Sequence, residues 1–152
     1  MNKYLLLADT HLGIRASSDA WHDIVINLFK EIRDVCIREE IGTILHLGDF
    51  FHERKATNTK TLDVAQQIEK ILFGLNMYII VGNHDIFYKS LLNPTSLQIF
   101  KDSPAIKVID TTTIIGDNCT LVPWGLMPDS SGGGYCFGHF PIKTFYMNNS
   151  RI

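Results

Sequence analysis

Four short clusters hold the residues that could do chemistry: Asp9-Thr10-His11-Leu12-Gly13, Gly48-Asp49, Gly82-Asn83-His84-Asp85 and Gly138-His139. Carboxylates, an amide oxygen and imidazoles form a mixed donor set that suits first-row divalent cations such as manganese, iron or zinc. Asp9 and His11 alternate just past an apolar run, so both side chains can reach one ion. Asp49 has two carboxylate oxygens and could bridge two ions, while Asn83 offers a neutral carbonyl oxygen and His139 a ring nitrogen. Two ions roughly 3.5–4 Å apart would clamp a phosphate and generate a hydroxide for in-line attack. Gly48, Gly82 and Gly138 would let the backbone turn sharply beside these groups.

Each cluster also has a blander reading. A lone Asp-x-His is common, and Gly-Asp after a strand is an ordinary turn. Gly82-Asn83-His84-Asp85 is more specific, because those polar residues just past a buried strand have little packing use. The joint order of the clusters carries the metal reading, and no single one does.

The elements that must position these residues alternate in the first half. Residues 3–8, 43–47 and 77–81 are short apolar runs that stop abruptly at polar residues, and they read as buried strands. Between them, Trp21, Ile24, Val25, Leu28, Ile32, Val35 and Cys36 recur at helical spacing from Asp19, with Ser17, Ser18 and Asp19 available as caps. Leu62, Ala65, Ile68, Leu72 and Leu75 mark a second helix. Such alternation predicts right-handed crossovers and a mainly parallel sheet. Ligands of such sheets sit beyond the carboxyl ends of the strands, and here those ends carry Asp9, Asp49 and Asn83. In the second half, the runs 106–109, 112–115, 119–122 and 135–137 are separated by turn residues and predict antiparallel strands. Residues 128–134 read as a flexible surface loop.

Composition bounds the rest. The chain has 152 residues, 45% of them apolar, with a net charge of −2, which fits one globular domain over 1–152 and excludes disordered and fibrous classes. No run approaches the ~20 apolar residues of a membrane span, and the apolar stretch before Asp9 is too short for a signal peptide. Three scattered cysteines, Cys36, Cys119 and Cys136, argue against a disulfide framework and for a reducing, cytoplasmic setting. There is no basic run to serve as a nucleic-acid footprint.

The ordered motifs resemble the calcineurin-like metallophosphoesterase superfamily, and Asp9-Thr10-His11-Leu12-Gly13 resembles its SbcD-type DNA-repair nuclease subunits. The likeness continues through Gly48-Asp49-Phe50-Phe51, Arg54-Lys55-Ala56, Val81 to Asp85 and Val122-Pro123-Trp124, and is nearest to the branch found in T-even-type phages. It implies an α/β fold, an α/β/β/α sandwich with two mixed sheets, truncated before the last part of the second sheet. It further implies that Asp9 and His11 bind a first metal, that Asp49 bridges, and that Asn83 and His139 bind a second. His84 would stabilise the phosphate or protonate the leaving oxygen, with Asp85 orienting its ring. The cofactor would be two divalent ions, manganese first, with magnesium, iron or zinc as alternatives. The partners would be DNA and a coiled-coil ATPase of the SbcC type, with no membrane.

Two departures qualify the likeness. His52 stands where these nucleases usually show aspartate, and reads either as a surface replacement or as a substrate-facing residue. Arg54 and Lys55 join it as candidates for touching a phosphate, although scattered cations are usually solvated surface. The family's closing Gly-His-x-His motif is not found before Ile152, and Pro141 occupies the second histidine's place in Gly138-His139-Phe140-Pro141. Each ion would then lack one histidine. The expectation is a domain incomplete at its C-terminus, feebly active or inactive alone, that associates through its second half with itself or a complementing fragment. A non-catalytic module binding DNA, the ATPase or a host nuclease is the alternative, and a phosphoesterase acting on nucleotides or phosphoproteins is a further one. His22 reads as a boundary residue on the helix, next to its apolar stripe, His46 as a buried, hydrogen-bonded histidine, and Trp124 and Phe140 as core or rim aromatics.

Overall fold

The computed structural model describes residues 3–88, 91–127 and 134–139. The three apolar runs of the first half form β1 (Tyr4–Leu7), β2 (Thr43–His46) and β3 (Asn76–Ile80), all parallel and hydrogen-bonded in that order. Helix α1 (Asp19–Arg38) connects β1 to β2, and α2 (Thr59–Ile71) connects β2 to β3. Because the strand order advances steadily in one direction, right-handed crossovers place the connections on a single face. The other face is left for something else to cover.

A second sheet covers it. Successive side chains of a strand point to opposite faces, and the burial follows that alternation. Ile44, Met77 and Ile79 enter a core with Val25, Phe29 and Ile68 of the helices. Leu45 and Ile80 enter a second core with Cys119 and Leu121. Both faces of the first sheet are therefore covered at β2 and β3, as a parallel sheet requires, while Leu6 of the edge strand β1 remains exposed. The two-sheet α/β arrangement is the expected one, but the first sheet is parallel throughout rather than mixed.

Two strands differ from the expected direction. Strand β4 (Ile106–Ile109) does not start an antiparallel half; it pairs parallel with β3. Its connection contains a 3-10 turn at Ser96–Phe100, whose buried Leu97 and Phe100 act as the crossover without any helical periodicity. Strand β5 (Thr113–Ile115) is antiparallel to β6 (Cys119–Val122) as expected, but β7 (Tyr135–Gly138) pairs parallel with β6. The intervening run of small and polar residues resembles a hairpin turn in the sequence, yet it joins strands that point the same way. The expected loop at 128–134 and Phe140 fall on or beside positions outside the described residues, and Gly134 alone of that loop is seen. Among the described residues, no helix is long and apolar enough to cross a membrane.

The start of α1 departs from the expected cap. Ser18 occupies the N-cap position without a side-chain hydrogen bond. Ser17 instead turns inward: its Oγ donates to the Gly13 carbonyl at 3.3 Å and accepts from Asn58 Nδ2 at 2.7 Å and Thr61 Oγ1 at 2.9 Å. His22, expected at the border of the apolar stripe, is only 2% exposed and lies 3.3 Å from the Thr61 hydroxyl. The polar cluster needs a buried partner from α1, and His22 supplies it. Asn58 serves twice, since its Oδ1 also caps α2 by accepting the Thr61 N–H at 2.9 Å. Asn58→Ala should therefore cost about 1–2 kcal/mol, the upper part of the usual N-cap range, read as a lowered urea midpoint. An unchanged midpoint would show that the cap contributes nothing.

Candidate metal centre

The carboxyl ends of β1, β2 and β3 deliver the first three clusters to one place. The Asp9 N–H donates to the Gly48 carbonyl at 3.1 Å and the His11 N–H to the Asp49 carbonyl at 3.1 Å, so the two loops are zipped together beyond the strands. Asp9, His11 and Asp49 all take positive φ, of 54°, 44° and 54°. Non-glycine residues there cost of order 1–3 kcal/mol each, and such strain clusters at functional sites. Three strained residues, all candidate ligands, are held by these backbone bonds.

The glycines act in two different ways. Gly48 has φ +94°, and a Cβ there would also lie 2.7 Å from His139 Nδ1. Gly82 needs no special φ; a Cβ on it would run into the Asp49 backbone nitrogen and carboxylate. Its role is space rather than the sharp turn expected of it. Gly138 ends β7.

The side chains converge. Asp9, Asp49 and His139 each place a ligand atom within 4.8 Å of the others. His11 Nε2 lies 3.8 Å from Asp9 Oδ1 and 3.9 Å from Asp49 Oδ2. His139 Nε2 lies 3.4 Å from Asp49 Oδ2 and 2.9 Å from Asn83 Oδ1. Strand β7 thus brings His139 from the second sheet to the residues of the first.

Tautomers and charge show what fits between them. His139 Nδ1 donates to the Leu47 carbonyl at 2.8 Å, which leaves the lone pair of the neutral ring on Nε2. That lone pair, Asn83 Oδ1 and the carboxylates of Asp9 and Asp49 are all acceptors pointed at one another. Such a set is stable only around a proton or a cation. Burial disfavours the charged form of His139, but the bonds to Asp49 and Leu47 outweigh it and raise its pKa, favouring a proton there in the absence of a cation. Burial likewise opposes ionisation of Asp49, yet His139 and the His84 N–H hold its pKa below the usual carboxylate range. The donor set fits a divalent ion, with His11 Nε2 and His139 Nε2 both within 4 Å of Asp49 Oδ2.

Behind the ligands lies a buried support. The Thr10 hydroxyl lies 3.0 Å from His46 Nε2 and donates to the Phe50 carbonyl at 3.3 Å. His46 is fully buried, and burial pushes its pKa down to about 3, so it is the neutral, hydrogen-bonded residue expected. Thr10 was not singled out in the sequence, because one hydroxyl in a loop carries no signal. Trp124 stacks edge-on against His139 at 5.8 Å between ring centroids.

His84 and Asp85 have separate roles. The expected contact of Asp85 with the His84 ring is absent among the described residues. Asp85 is fully buried and accepts backbone N–H bonds from Phe51 at 2.9 Å, Gly82 at 3.0 Å and Phe50 at 3.3 Å. It ties the second and third clusters together, and it points away from the ring because those donors lie below. Burial lifts its pKa to about 6 against the pull of these bonds. The ring of His84 is oriented instead by its Nδ1–H, which donates to the His52 carbonyl at 2.8 Å. Asp85→Asn should cost about 1–3 kcal/mol, because both carboxylate oxygens accept backbone N–H groups and one of them becomes a donor. A denaturation midpoint equal to wild type would show that this tie carries no stability.

The weaker substrate candidates also gather. His52, Glu53, Arg54, Lys55 and His84 line an open cleft of about 340 Å³. His52 is not a plain surface replacement: its ring stacks on His84 at 5.7 Å and meets His11 edge-on at 5.4 Å.

Comparison with known proteins agrees with this arrangement. The chain is 33% identical to exonuclease subunit 1 of Enterobacteria phage T4 over 159 aligned residues, covering 95% of this chain and 47% of that protein. It is 34% identical over 88 residues to the DNA double-strand break repair protein Mre11 of Saccharolobus solfataricus, covering 56% of this chain and 23% of that one. The chain thus spans about half the length of the phage relative, and its match to Mre11 is shorter still. The crystal structure of the nuclease MPE of Pseudomonas putida superposes with a TM-score of 0.59 at 23% identity, over 88% of this chain and 59% of that one, which shows a shared fold. The family model of the calcineurin-like phosphoesterases matches residues 3–149, a span that takes in every candidate ligand from Asp9 to His139. With strands, loops and donor set in that family's order, the chain belongs to the calcineurin-like phosphoesterases.

Proposed function

We propose that this chain is a metal-dependent DNA nuclease subunit that hydrolyses phosphodiesters in recombination or break repair. The observation that carries the reading is the convergence of Asp9, His11, Asp49, Asn83 and His139 on one point, with His84 beside it in a cleft that holds Arg54 and Lys55. The names of the phage and Mre11 relatives support DNA as the substrate. Two divalent ions, manganese first, would supply charge neutralisation for the phosphate and acidify the attacking water. Asp49 would lie between them, with Asp9 and His11 on the first and Asn83 and His139 on the second. His84, its Nδ1 held by the His52 carbonyl, keeps Nε2 for the phosphate or the leaving oxygen. Arg54 and Lys55 would hold the phosphate backbone, opposed locally by Glu53.

The partners of the reading are DNA and a coiled-coil ATPase of the SbcC type. Association through the second half has a physical basis in β5 and β7, which flank β6 in the small sheet. Ile114 and Tyr135 on them are 69% and 63% exposed, and among the described residues no strand pairs with their outer edges, a feature that invites pairing with another chain.

End-labelled linear duplex incubated with the chain and manganese tests the reading. The expected result is slow, chelator-sensitive shortening of the DNA that Asp49→Ala lacks. Hydrolysis of a small phosphodiester or a nucleotide with DNA left intact would overturn it in favour of another phosphoesterase. DNA or ATPase binding with no hydrolysis of any ester would overturn it in favour of a non-catalytic module.

A further inference from the structure

The reading above gives His11 and His84 separate roles, but it does not account for their grouping with a third imidazole, that of His52. His11, His52 and His84 each place one ring nitrogen within 4.8 Å of the other two. Their ring centroids stand 4.9 Å apart for His11 and His84, 5.4 Å for His11 and His52, and 5.7 Å for His52 and His84. All three side chains are half-buried, and His52 and His84 line the cleft. Among the described residues, the Nδ1 atoms of His11 and His52 are shielded from solvent and have no hydrogen-bond partner. Buried polar atoms without partners are rare, and an ion is one of the few things that accounts for them. His84 is already in a ligating form, because its Nδ1–H is spent on the His52 carbonyl and the lone pair is on Nε2.

We propose that His11, His52 and His84 form a third cation site, suited to zinc, that inhibits the enzyme when filled. Three neutral nitrogens with no carboxylate among them are a donor set for zinc, which binds imidazole at about 2.0–2.1 Å and commonly takes three histidines and one open position. Manganese, a harder ion, is served better by the oxygens of Asp9, Asp49 and Asn83. The two kinds of ion are therefore sorted by adjacent donor sets. The sites also compete. A neutral imidazole has a single lone pair, so His11 can serve the carboxylate side through Nε2, 3.8 Å from Asp9, or the histidine side, but not both. Filling the histidine site withdraws one ligand from the manganese centre and occupies the His84 nitrogen needed at the leaving oxygen. The inhibitory consequence rests on the function proposed above; the existence of the site does not.

Cobalt, whose visible absorption reports four-coordination, tests the site in the full chain without any turnover. The expected result is a four-coordinate band, displaced by zinc, in wild type and in Asp49→Asn, which keeps an oxygen for the His84 N–H while weakening the carboxylate centre. The band should be lost in His52→Gln and His84→Gln, with zinc affinity lowered at least about tenfold, the smaller loss seen on disturbing a metal site's surroundings. In wild type, zinc should also release bound manganese, seen as the free-ion paramagnetic resonance signal, at concentrations that leave His52→Gln loaded. A band lost in Asp49→Asn but kept in both histidine variants would overturn the proposal, placing the ion among the carboxylates and leaving the nuclease reading intact. A band absent from every protein would overturn it as well. Manganese binding, followed separately in the same samples, decides the nuclease reading's own centre.

Discussion

Asp49→Ala should strip the chain of bound metal more completely than any other single change. Asp49 is 4% exposed, with His11 Nε2 at 3.9 Å and His139 Nε2 at 3.4 Å from the same Oδ2, the position of a shared ligand in the function proposed above. Losing Asp9 or Asn83 would open one side, whereas losing Asp49 opens both. Disturbing groups that merely support metal ligands already costs 10–100-fold in affinity or activity, in order-of-magnitude terms, so a shared ligand should cost more than that for each ion. The alanine has two further effects. It orphans the His84 N–H, which Asp49 Oδ1 accepts at 2.8 Å, and it places alanine at φ 54°, where aspartate is better tolerated. Asp49→Asn separates these, since it keeps an acceptor and the backbone preference but drops the charge. Elemental analysis after exhaustive dialysis against manganese should find little manganese in either variant. Undiminished metal in both would remove Asp49 from the bridging position.

The same geometry sets a pH dependence for wild type. His139 has its pKa raised above the ordinary imidazole value by Asp49 and the Leu47 carbonyl, despite burial. Its Nε2 must be unprotonated to ligate, so proton and metal compete for one lone pair. Metal uptake should release protons, and affinity should fall as the pH drops through that raised pKa and below it. Calorimetric titration in buffers of different ionisation enthalpy reads the proton directly.

The sequence made the first half of the fold and most of the donor set legible, and physical reasons separate those parts from the rest. Strands β1 to β3 end where apolar runs meet Asp9, Asp49 and Asn83, and a strand's end is a local property that a short window reveals. The direction of β4 and β7 is not local. It depends on whether the connection folds back or crosses over, and the connection to β4 is a 3-10 turn anchored by Leu97 and Phe100 rather than a periodic helix. Hydrogen-bond partners were equally hidden. Asp85 looks in sequence like a partner for its neighbour His84, but adjacent side chains diverge, and its carboxylate meets Phe50, Phe51 and Gly82 instead. His22 is polar and sits beside an apolar stripe, so only the Ser17, Asn58 and Thr61 cluster from elsewhere in the chain accounts for its burial. Side-chain chemistry could be read from motifs, and side-chain direction could not.

His84→Ala should show the opposite pattern to Asp49→Ala: manganese retained and turnover lost. The imidazole is not part of the carboxylate donor set, and the contact that His84 makes to Asp49 comes from its backbone N–H, which the substitution leaves in place. The ring, by contrast, is held for use. Its Nδ1–H is fixed on the His52 carbonyl at 2.8 Å, its face stacks on His52, and its edge meets His11 at 4.9 Å, so Nε2 is set at the cleft that Arg54 and Lys55 also line. A positioned general acid contributes about 10²–10⁴-fold to rate, and the loss should fall in that interval when DNA hydrolysis is compared at saturating manganese. His84→Gln should recover little, because an amide can donate a hydrogen bond to a phosphate oxygen but cannot deliver a proton to a leaving group. If glutamine restored most of the rate, His84 would be a phosphate-binding residue and not the acid. If manganese content fell together with rate in the alanine variant, His84 would belong to the metal centre itself.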